Sequence, residues 1–494
     1  MLYLRSILVL FIFSSCYGLK ELEHDYEPAV NNSNSGIWDE LNLKADSDIF
    51  YPLNNHFEAL EWRLRCIDSA SSSIDMQVFL WKNDFSGRLL INSIIDAANR
   101  QVKVRILIDD VFTVKQDKFI AQINKHPNIS IRIYNPFKRR YRSFGLRYIM
   151  NAGDFSRIDH RMHNKALIVD QKTVIFGGRN IGDEYFGIHP QFNFRDMDVL
   201  ALGSVSKKLS DSFSLFWSNR WSYPSEEIIK NKRGQIKIIR EPIGGFFPLN
   251  ETQERRKSAW QDLIKKAIPA TYTLKYDLPK DDHPNRKIDT QLSQDIYQLI
   301  KTAEEKLCII SPYFIPTPEL EQAIFEAESR GVDVRILTNS LQSNNHTIAH
   351  SFYRKHMKKY LESGADLHEY RSSGADRRQF MFYPVKGKSI GLHAKVILID
   401  DELSLIGSPN LDPRSLKWNS EAAVLIKSKE FCTKIRKLLG VDFSLRNSWK
   451  LEQNDQGKTL WKSYDQTLKK QPRNSRLQLL ESWFLGLLPV EDKI

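Results

Sequence analysis

The chain has 494 residues and a formal net charge of +12, with 41% hydrophobic and 11% aromatic residues. This composition excludes an intrinsically disordered chain, and the length favours two domains over one ordinary core. The excess of cations indicates an anionic partner, and charge alone leaves both membrane phosphates and nucleic acid open.

The first residues have the pattern of a bacterial secretion signal. An apolar run over 7–13 is too short to span a bilayer and has the length of a signal-peptide core. Ser14 and Ser15 precede Cys16, as small residues precede the lipidated cysteine of a lipoprotein, although Phe13 departs from that motif. We predict a signal peptide of the lipoprotein type over 1–16, and the alternative is a plain cleaved signal.

The other cysteines indicate neither a disulfide framework nor a zinc site. Once Cys16 is set aside, three remain, Cys66, Cys308 and Cys432, and none forms a CxxC pair. No later segment has the ~18 consecutive apolar residues of a membrane span. No cofactor is predicted.

The first predicted domain follows a polar stretch. Residues 17–50 contain an Asn/Ser cluster and are predicted to be a tether, after which a first domain extends over 51–225. The residue pattern of this domain alternates between helical and strand periodicity. The predicted elements are a helix over 58–70, a strand over 73–81, a helix over 86–101 and a strand over 102–110.

A second domain repeats this order. A connecting region over 226–285, with clustered charge and proline, precedes a domain over 286–494. Its predicted elements are a helix over 294–305, a strand over 306–314, a helix over 317–331 and a strand over 332–340. Thr317 and Pro318 have the types of an N-cap and a first helical residue. Strand–helix–strand units of this kind predict a largely parallel sheet covered by helices.

A duplicated pattern of the form His-x-Lys-x4-Asp relates the two domains. It occurs as HNKALIVD over 163–170 and as HAKVILID over 393–400, and each copy precedes a turn, GGRN over 177–180 or GSPN over 407–410. These positions, and the VRIL runs of both domains, keep one common offset along the chain. We therefore predict two α/β halves related by pseudo-two-fold symmetry, with one active site at their interface.

Each motif predicts a hairpin that presents a histidine and a lysine together. Alternation along a strand places His163 and Lys165 on one face, and likewise His393 and Lys395. A buried cation needs an anion, which a bound phosphate supplies. Two ammonium groups beside the imidazoles argue against a metal site.

The two motifs, with GGRN and GSPN behind them, resemble the phospholipase D superfamily. The longer stretches over 161–187 and 392–421 resemble the cardiolipin synthase C-type branch of bacterial phospholipase D-like proteins. The resemblance implies two α/β/α domains and a two-step displacement at phosphorus through a phosphohistidine. It implies His163 as the nucleophile and His393 as the acid/base, although quasi-symmetry leaves that order open.

The resemblance also implies roles for neighbouring polar residues. Lys165 and Lys395 would hold the phosphoryl oxygens, assisted by Asn180, Ser408 and Asn410. Acidic residues that orient the histidines would be Glu421 and one of Asp196 and Asp198, with surface ion pairs as the alternative. Asp170 and Asp400 complete the catalytic motifs, and their place at the hairpin turns favours a structural or His-orienting role.

The two turns differ in a way that bears on phosphate binding. Ser408 has a hydroxyl that can donate to phosphate, whereas Gly178, its counterpart in the first half, has none. In the first half, Arg179 or backbone N–H groups are the candidates to compensate.

Two segments are candidates for membrane contact. Cations alternate with aromatic residues over 137–144, which suits a lipid surface or nucleic acid, with a solvated basic loop as the alternative. The apolar segment over 477–490 suits a membrane interface or docking onto the protein's own core.

Three functions remain open after this reasoning. The first is a membrane-associated phosphatidyltransferase, for which the resemblance implies phosphatidylglycerol as acceptor and phosphatidylethanolamine as donor. The second is a phosphodiesterase with water as acceptor, acting on phospholipid or, less favoured, on nucleic acid, and the third is a silent lipid-binding lipoprotein. The export signal favours lipid over nucleic acid and predicts a bacterial cell-envelope protein, lipid-anchored or periplasmic. One chain can complete the site, and the oligomeric state stays open.

Overall fold

The computed structural model describes residues 19, 22–30, 36–41, 48–229, 252–279, 290–382 and 384–494, except for the side chains of 155 and 156. The predicted signal peptide and Cys16 lie outside the described residues. Within the described part of the chain, no helix combines the length and the apolar content that crossing a bilayer requires.

The first half is built on a nine-stranded sheet, counted over the described residues, in the order β10-β1-β8-β6-β5-β2-β3-β4-β9. β7 lies outside this sheet. The strands are β1 (Ile49–Leu53), β2 (Ser73–Val78), β3 (Lys103–Asp109), β4 (Ile129–Tyr134), β5 (Ala166–Val169), β6 (Thr173–Gly177), β7 (Phe192–Arg195), β8 (Asp198–Leu202), β9 (Ser222–Pro224) and β10 (Ile268–Pro269).

The second half repeats this plan in a ten-stranded sheet, again over the described residues, in the order β11-β18-β17-β16-β12-β13-β14-β19-β20-β21. β15 lies outside this sheet. The strands of this half are β11 (Thr271–Tyr276), β12 (Lys306–Ile310), β13 (Asp333–Asn339), β14 (Asp366–Tyr370), β15 (Ser389–Leu392), β16 (Val396–Ile399), β17 (Leu403–Gly407), β18 (Ala422–Lys427), β19 (Ser448–Gln453), β20 (Thr459–Lys462) and β21 (Thr467–Leu468). The central run β8-β6-β5-β2-β3-β4 of one sheet corresponds to β18-β17-β16-β12-β13-β14 of the other.

Helices pack against both sheets. Those of the first half are Ile37–Glu40, His56–Ser69, Phe85–Asn99, Asp117–Ile123, Phe144–Met150, Phe155–Ile158, Ser204–Trp217, Ser225–Ile228 and Gln253–Lys266. Those of the second half are Gln291–Lys301, Pro318–Ser329, Thr347–Ser363, Lys429–Phe443 and Arg476–Leu485. Thr317 caps its helix as predicted, since its hydroxyl accepts a hydrogen bond from the Leu320 N–H at 3.3 Å.

The prediction of two related α/β halves is confirmed, and so are both hairpins. β5 pairs with β6, and β16 pairs with β17, each pair antiparallel. The prediction of a largely parallel sheet is wrong. Parallel pairing in the large sheets joins only β2-β3-β4 and β12-β13-β14, because the chain returns through hairpins on the other side of each sheet.

The halves meet across a shared core and a small sheet. β7 from the first half and β15 from the second form a parallel two-stranded ladder, in which Arg195 stands opposite Leu392. A single cluster of buried apolar residues includes Phe50 and Leu107 of the first half with Leu398 and Val424 of the second. The interface is therefore continuous hydrophobic core, and the site sits within it.

The described parts of the predicted tether and connecting region lie against the halves. Glu27 accepts hydrogen bonds from the Arg132 guanidinium at 2.6 Å and the Trp217 indole at 2.8 Å. The helix Gln253–Lys266 places Trp260 against the rings of Trp38 and Trp62 in the first core.

Candidate active site

The two hairpins carry the motif residues to the interface between the halves. His163 and Lys165 stand immediately before β5, and His393 and Lys395 immediately before β16. All four side chains are buried, with His163 only 7% exposed. Each lysine Nζ folds back onto the carbonyl of its own histidine, at 2.5 Å for Lys165 and 2.7 Å for Lys395.

Each imidazole is held by a carboxylate from the opposite half. His163 Nδ1 lies 2.9 Å from both oxygens of Glu421, and His393 Nδ1 lies 2.5 Å from Asp196 Oδ2. Because Nδ1 is bound to a carboxylate, Nε2 is the nitrogen that can form a bond to phosphorus. Of the two sequence candidates in the first half, Asp196 is therefore the residue that contacts a histidine.

The backbone repeats this exchange between halves. The His163 N–H donates to the carbonyl of Ser420 at 2.9 Å, and the His393 N–H donates to that of Arg195 at 2.7 Å. Ser420 and Arg195 directly precede the two carboxylates in the chain. Each histidine is thus fixed at both its backbone and its ring by two consecutive residues of the other half.

A pair of polar side chains that the sequence reasoning missed fixes the residue before each histidine. Asp109, at the end of β3, accepts a hydrogen bond from the Met162 N–H at 3.0 Å. Asn339, at the end of β13, bonds both the N–H and the carbonyl of Leu392, at 2.8 and 2.9 Å. The two positions keep the common offset of the motifs, which is the signal that could have identified them.

Burial and the lysines lower the pKa values of both histidines. Burial lowers the pKa of His163 well below its ordinary value, and Lys165 and Lys395 lower it further. Burial and Lys395 likewise lower the pKa of His393 to about 3, against the opposing effect of Asp196. Both lysines act on both imidazoles, so all four groups share one electrostatic site.

The lysines and the carboxylates are also shifted. Burial lowers the pKa of Lys165 to about 7 and that of Lys395 to about 8, although Glu421 and Asp196 oppose this. Burial raises the pKa of Glu421 to about 7. Burial would also raise the pKa of Asp196, but His393 and Lys395 hold it below its usual value. A bound anion such as a phosphodiester would restore charge to both lysines.

The glycine and serine of the two turns face the two carboxylates. A Cβ at Gly178 would lie 2.5 Å from Asp196 Oδ1, whereas the Ser408 hydroxyl donates to Glu421 Oε2 at 2.5 Å. The Ser415 hydroxyl donates to the other oxygen of Glu421 at 2.8 Å. Ser408 therefore positions Glu421, and its predicted contact with phosphate stays a prediction.

The two asparagines of the turns lie beside these groups. Asn180 Nδ2 donates to the hydroxyl of Tyr185, whose ring packs against His393 with centroids 5.1 Å apart. Asn410 N–H donates to Ser415 Oγ at 3.2 Å. Within the described part of the chain, Oδ1 of each asparagine is buried without a hydrogen-bond partner. An unpaired buried amide is costly, so these positions suit contact with a ligand.

Asp198 and Arg179 form an ion pair next to Asp196. Asp198 Oδ2 accepts hydrogen bonds from Arg63 at 2.8 Å and from Arg179 at 3.0 Å. Arg179 also donates to the carbonyl of Asp196 at 2.6 Å. Asp198 is therefore paired with two arginines, and Arg179 binds both this carboxylate and the backbone of Asp196.

Asp170 and Asp400 lie at the hairpin turns, where each carboxylate binds backbone N–H groups of the neighbouring strand. Asp170 accepts hydrogen bonds from the N–H groups of Ser72 and Ser73, each at 2.7 Å, at the start of β2. Asp400 accepts from the N–H groups of Glu305 and Lys306, each at 2.8 Å, at the start of β12. Both carboxylates tie the hairpin to the central strand, which is the structural role that their position in the sequence favoured.

Comparison with known proteins finds relatives over most of the chain. The family model described as cardiolipin synthase, PLD-like domain, matches residues 64–217 and 296–441. An uncharacterized protein of Helicobacter pylori J99 is 32% identical over 507 residues, 97% of each chain. Cardiolipin synthase C of Escherichia coli K12 is 31% identical over 454 residues, 89% of this chain and 95% of its own.

A solved structure shares the fold. The crystal structure of phosphatidylserine synthase from Haemophilus influenzae Rd KW20 matches with a TM-score of 0.53 and 16% identity, covering 83% of this chain and 90% of that one. At this level of identity the match concerns the two-half architecture.

Proposed function

This chain belongs to the phospholipase D-like family of cardiolipin synthases, and from that premise we propose that it is a phosphatidyltransferase that makes cardiolipin. The observation that carries the proposal is the pair of imidazoles, each bound to a carboxylate of the opposite half beside two buried lysines. Such a site can divide a displacement at phosphorus into two steps. A single chain supplies all of these groups.

In the proposed first step, His163 Nε2 attacks the phosphorus of a phosphatidyl donor. A nitrogen–phosphorus bond forms, the bond to the departing alcohol oxygen breaks, and His393, protonated in the complex with the anionic donor, gives that oxygen its proton. In the second step an acceptor alcohol attacks the phosphohistidine and His393 takes the proton of that alcohol. The nitrogen–phosphorus bond then breaks, which releases a new phosphodiester and restores both histidines.

The electrostatics support this order of roles. The pKa of Asp196 is held low, so its carboxylate is ionised beside His393 and stabilises the imidazolium that a general acid needs. The pKa of Glu421 is raised to about 7, which provides less negative charge beside His163. We propose that Lys165 and Lys395, with the side-chain N–H groups of Asn180 and Asn410, hold the phosphoryl group.

The proposed substrates are phospholipids. We propose phosphatidylglycerol as the acceptor, because it offers a free alcohol, and phosphatidylethanolamine as the donor. The names of the relatives, cardiolipin synthase and phosphatidylserine synthase, support a phosphatidyl group as the unit transferred.

We propose that the protein works at a membrane surface of the bacterial envelope. The helix Arg476–Leu485 buries Ser482 against Ser351, with hydroxyl oxygens 3.1 Å apart. Large apolar side chains on and just after this helix stay exposed, led by Leu477 at 73%. The others are Leu480, Trp483, Phe484 and Leu487. An apolar face of this size favours an interfacial position, and lipidation of Cys16 would add an anchor.

The test uses the full chain with mixed vesicles of labelled phosphatidylglycerol and phosphatidylethanolamine. We expect labelled cardiolipin from the wild type, and loss of the product with His163→Ala and with His393→Ala. His126→Ala is a matched control, since this histidine bonds Asn99 outside the site. Phosphatidic acid without cardiolipin would show a hydrolase instead. Full activity of His163→Ala would exclude His163 as the nucleophile.

A further inference from the structure

Three phenylalanine rings form a continuous series from the molecular surface to His163. The ring of Phe79 packs edge-on against the His163 imidazole, with centroids 4.7 Å apart. Phe112 packs edge-on against Phe79 at 5.3 Å, and Phe144 stacks on Phe112 at 6.3 Å. We call Phe79, Phe112 and Phe144 the ring series.

Exposure rises along the ring series away from the site. His163 is 7% exposed and Phe79 is half-buried, whereas Phe112 is 37% and Phe144 is 48% exposed. Phe144 begins the helix Phe144–Met150. The series therefore connects the interior of the site to the surface of this helix through side chains that are all apolar.

The surface where the ring series ends is itself apolar. The helix Phe144–Met150 leaves Leu146 and Ile149 exposed, and Tyr141 is exposed just before it. Isolated exposed apolar residues need no explanation, but four large ones within nine residues, joined to the ring series, form a patch. A patch of this kind favours contact with an apolar phase.

The cations of this segment divide into two groups. Arg140 pairs with Asp110 and Asp117, and Arg147 is buried close to Asp110, so both belong to the folded structure. Arg142 is exposed in the loop that precedes Phe144. Lys138 and Arg139 are partly buried. The exposed part of the segment is therefore an apolar patch with the exposed cation Arg142 at its edge, an arrangement that suits lipid headgroups above acyl chains.

On the basis of the proposed function, we propose that the ring series holds an acyl chain of the phospholipid whose phosphorus is attacked by His163. The headgroup phosphate would lie at the histidines and lysines, and an acyl chain would run along Phe79 and Phe112 to Phe144. The helix Phe144–Met150 would meet the membrane from which the lipid enters. The series then contributes to donor selection, because only a substrate with an apolar chain gains these contacts.

The first test measures how kcat/KM depends on acyl-chain length. Soluble phosphatidylethanolamines with chains of increasing length, below their micelle concentrations, serve as donors for the full-length enzyme, with one short-chain phosphatidylglycerol as the common acceptor. Complete burial of one methylene corresponds to about a fourfold gain in affinity, so we expect kcat/KM to rise with chain length, by up to that factor per carbon. For Phe112→Ala and Phe144→Ala, we expect the slope of log(kcat/KM) against chain length to fall to half of the wild-type slope or less.

Tyr464→Ala is the matched control, because this aromatic residue is similarly exposed, at 59%, but lies between β20 and β21, outside both the ring series and the C-terminal helix. We expect it to keep the wild-type dependence on chain length. The proposal is overturned when Phe112→Ala and Phe144→Ala keep the full dependence, or when the wild type shows none. Circular dichroism and thermal melting identify variants that have failed to fold, and Phe112→Leu then replaces the alanine variant.

A second measurement does not depend on turnover. A phosphatidylethanolamine with a photoreactive group at the end of one acyl chain is cross-linked to the wild-type chain in vesicles, and the labelled peptides are sequenced. Label on the peptides that contain Phe112 or Phe144 supports the proposal, and label confined to other peptides overturns it. If these peptides are labelled but no phosphatidyl transfer is detected, the acyl-chain site is supported and the proposed function is contradicted. The two proposals can therefore fail independently.

Discussion

At the scale of single residues, the carboxylates on the imidazoles control both orientation and charge. Glu421 contacts His163 Nδ1 through both oxygens and also accepts hydrogen bonds from Ser408 and Ser415. These contacts fix the ring so that Nε2 faces the substrate position. The residue acts through the histidine and is a positioning residue.

We expect Glu421→Gln to lower kcat in the vesicle assay by roughly 10² to 10⁴-fold, by analogy with loss of the orienting carboxylate of a catalytic triad. The amide keeps the size of the side chain but cannot accept at both oxygens. Glu369→Gln is the control, because Glu369 is also buried and accepts from the Trp461 indole, outside the site. Equal losses in the two variants would contradict the positioning role.

The pH dependence of kcat/KM should reflect the shifted groups of the free enzyme. The pKa of His163 is lowered, so the acidic limb, where the nucleophile becomes protonated, should fall below the ordinary histidine pKa of about 6.5. Lys165, with a pKa of about 7, and Lys395, at about 8, lose their charge as the pH rises, which gives the basic limb.

Glu421→Gln provides a test of this assignment. Glu421 raises the pKa of Lys165, so its loss should move the basic limb to lower pH. The measurement is the pH profile of kcat/KM for both proteins at constant ionic strength. An unchanged basic limb in the variant would argue that Lys165 does not set it.

Some residues of the site could be predicted from the sequence, and others could not. The two His/Lys pairs could be predicted because the common offset places them in equivalent strands. The choice between Asp196 and Asp198 could not, since alternation puts both on one face of a strand. The structure separates them, because Asp198 is held by Arg63 and Arg179 while Asp196 reaches His393.

At the scale of elements, each hairpin turn contains two residues with positive φ, the first of which is an aspartate that binds the neighbouring strand. Asp170 and Gln171 both have positive φ, 51° and 53°, and so do Asp400 and Asp401, 51° and 55°. Tight hairpin turns of this type favour Asp and Asn, which tolerate the left-handed region. The carboxylate of Asp170 then binds the start of β2 and joins the hairpin to the sheet.

We expect Asp170→Asn to destabilise the protein by about 1.5–3 kcal/mol, the typical contribution of a hydrogen bond to a charged group. Asparagine keeps the turn conformation but cannot accept all of these hydrogen bonds. Urea unfolding measures the loss, and kcat below the transition should change much less than in Glu421→Gln. A large loss of kcat at unchanged stability would instead indicate a catalytic role for Asp170.

The elements themselves could be predicted more fully than their pairing. The predicted helix over 86–101 corresponds to Phe85–Asn99, and the predicted strand over 102–110 to β3. Strand direction could not be obtained in the same way, because each buried strand reads as apolar whether its neighbour is parallel or antiparallel.

At the scale of the whole molecule, a buried ion pair joins the halves beside the site. Arg195 of β7 bonds Asp442 of the helix Lys429–Phe443, and both side chains are fully buried. The carbonyl of Arg195 also accepts from the His393 N–H. The same residue therefore connects the domain interface to the active site.

We expect Asp442→Asn to destabilise the interface by about 3–5 kcal/mol, because it leaves the Arg195 guanidinium buried without its anion. Calorimetry should show a lower melting temperature and a separation of the transitions of the two halves. The double variant Arg195→Met/Asp442→Leu should recover much of the loss, since both charges are removed. Equal stability of Asp442→Asn and the wild type would contradict this role.

The exchange of carboxylates between halves has a consequence for how such a chain can diverge after duplication. Each half supplies the histidine of one His–carboxylate pair and the carboxylate of the other pair. A substitution at either position in one half therefore affects a residue in the other half. A side chain at position 178 is excluded by Asp196, whereas Ser408 supports the longer Glu421. We expect positions 178 and 196, and positions 408 and 421, to change together among related sequences, which an alignment can measure. After the duplication, a substitution of a paired histidine or carboxylate in one half is therefore tolerated only with a matching substitution in the other half.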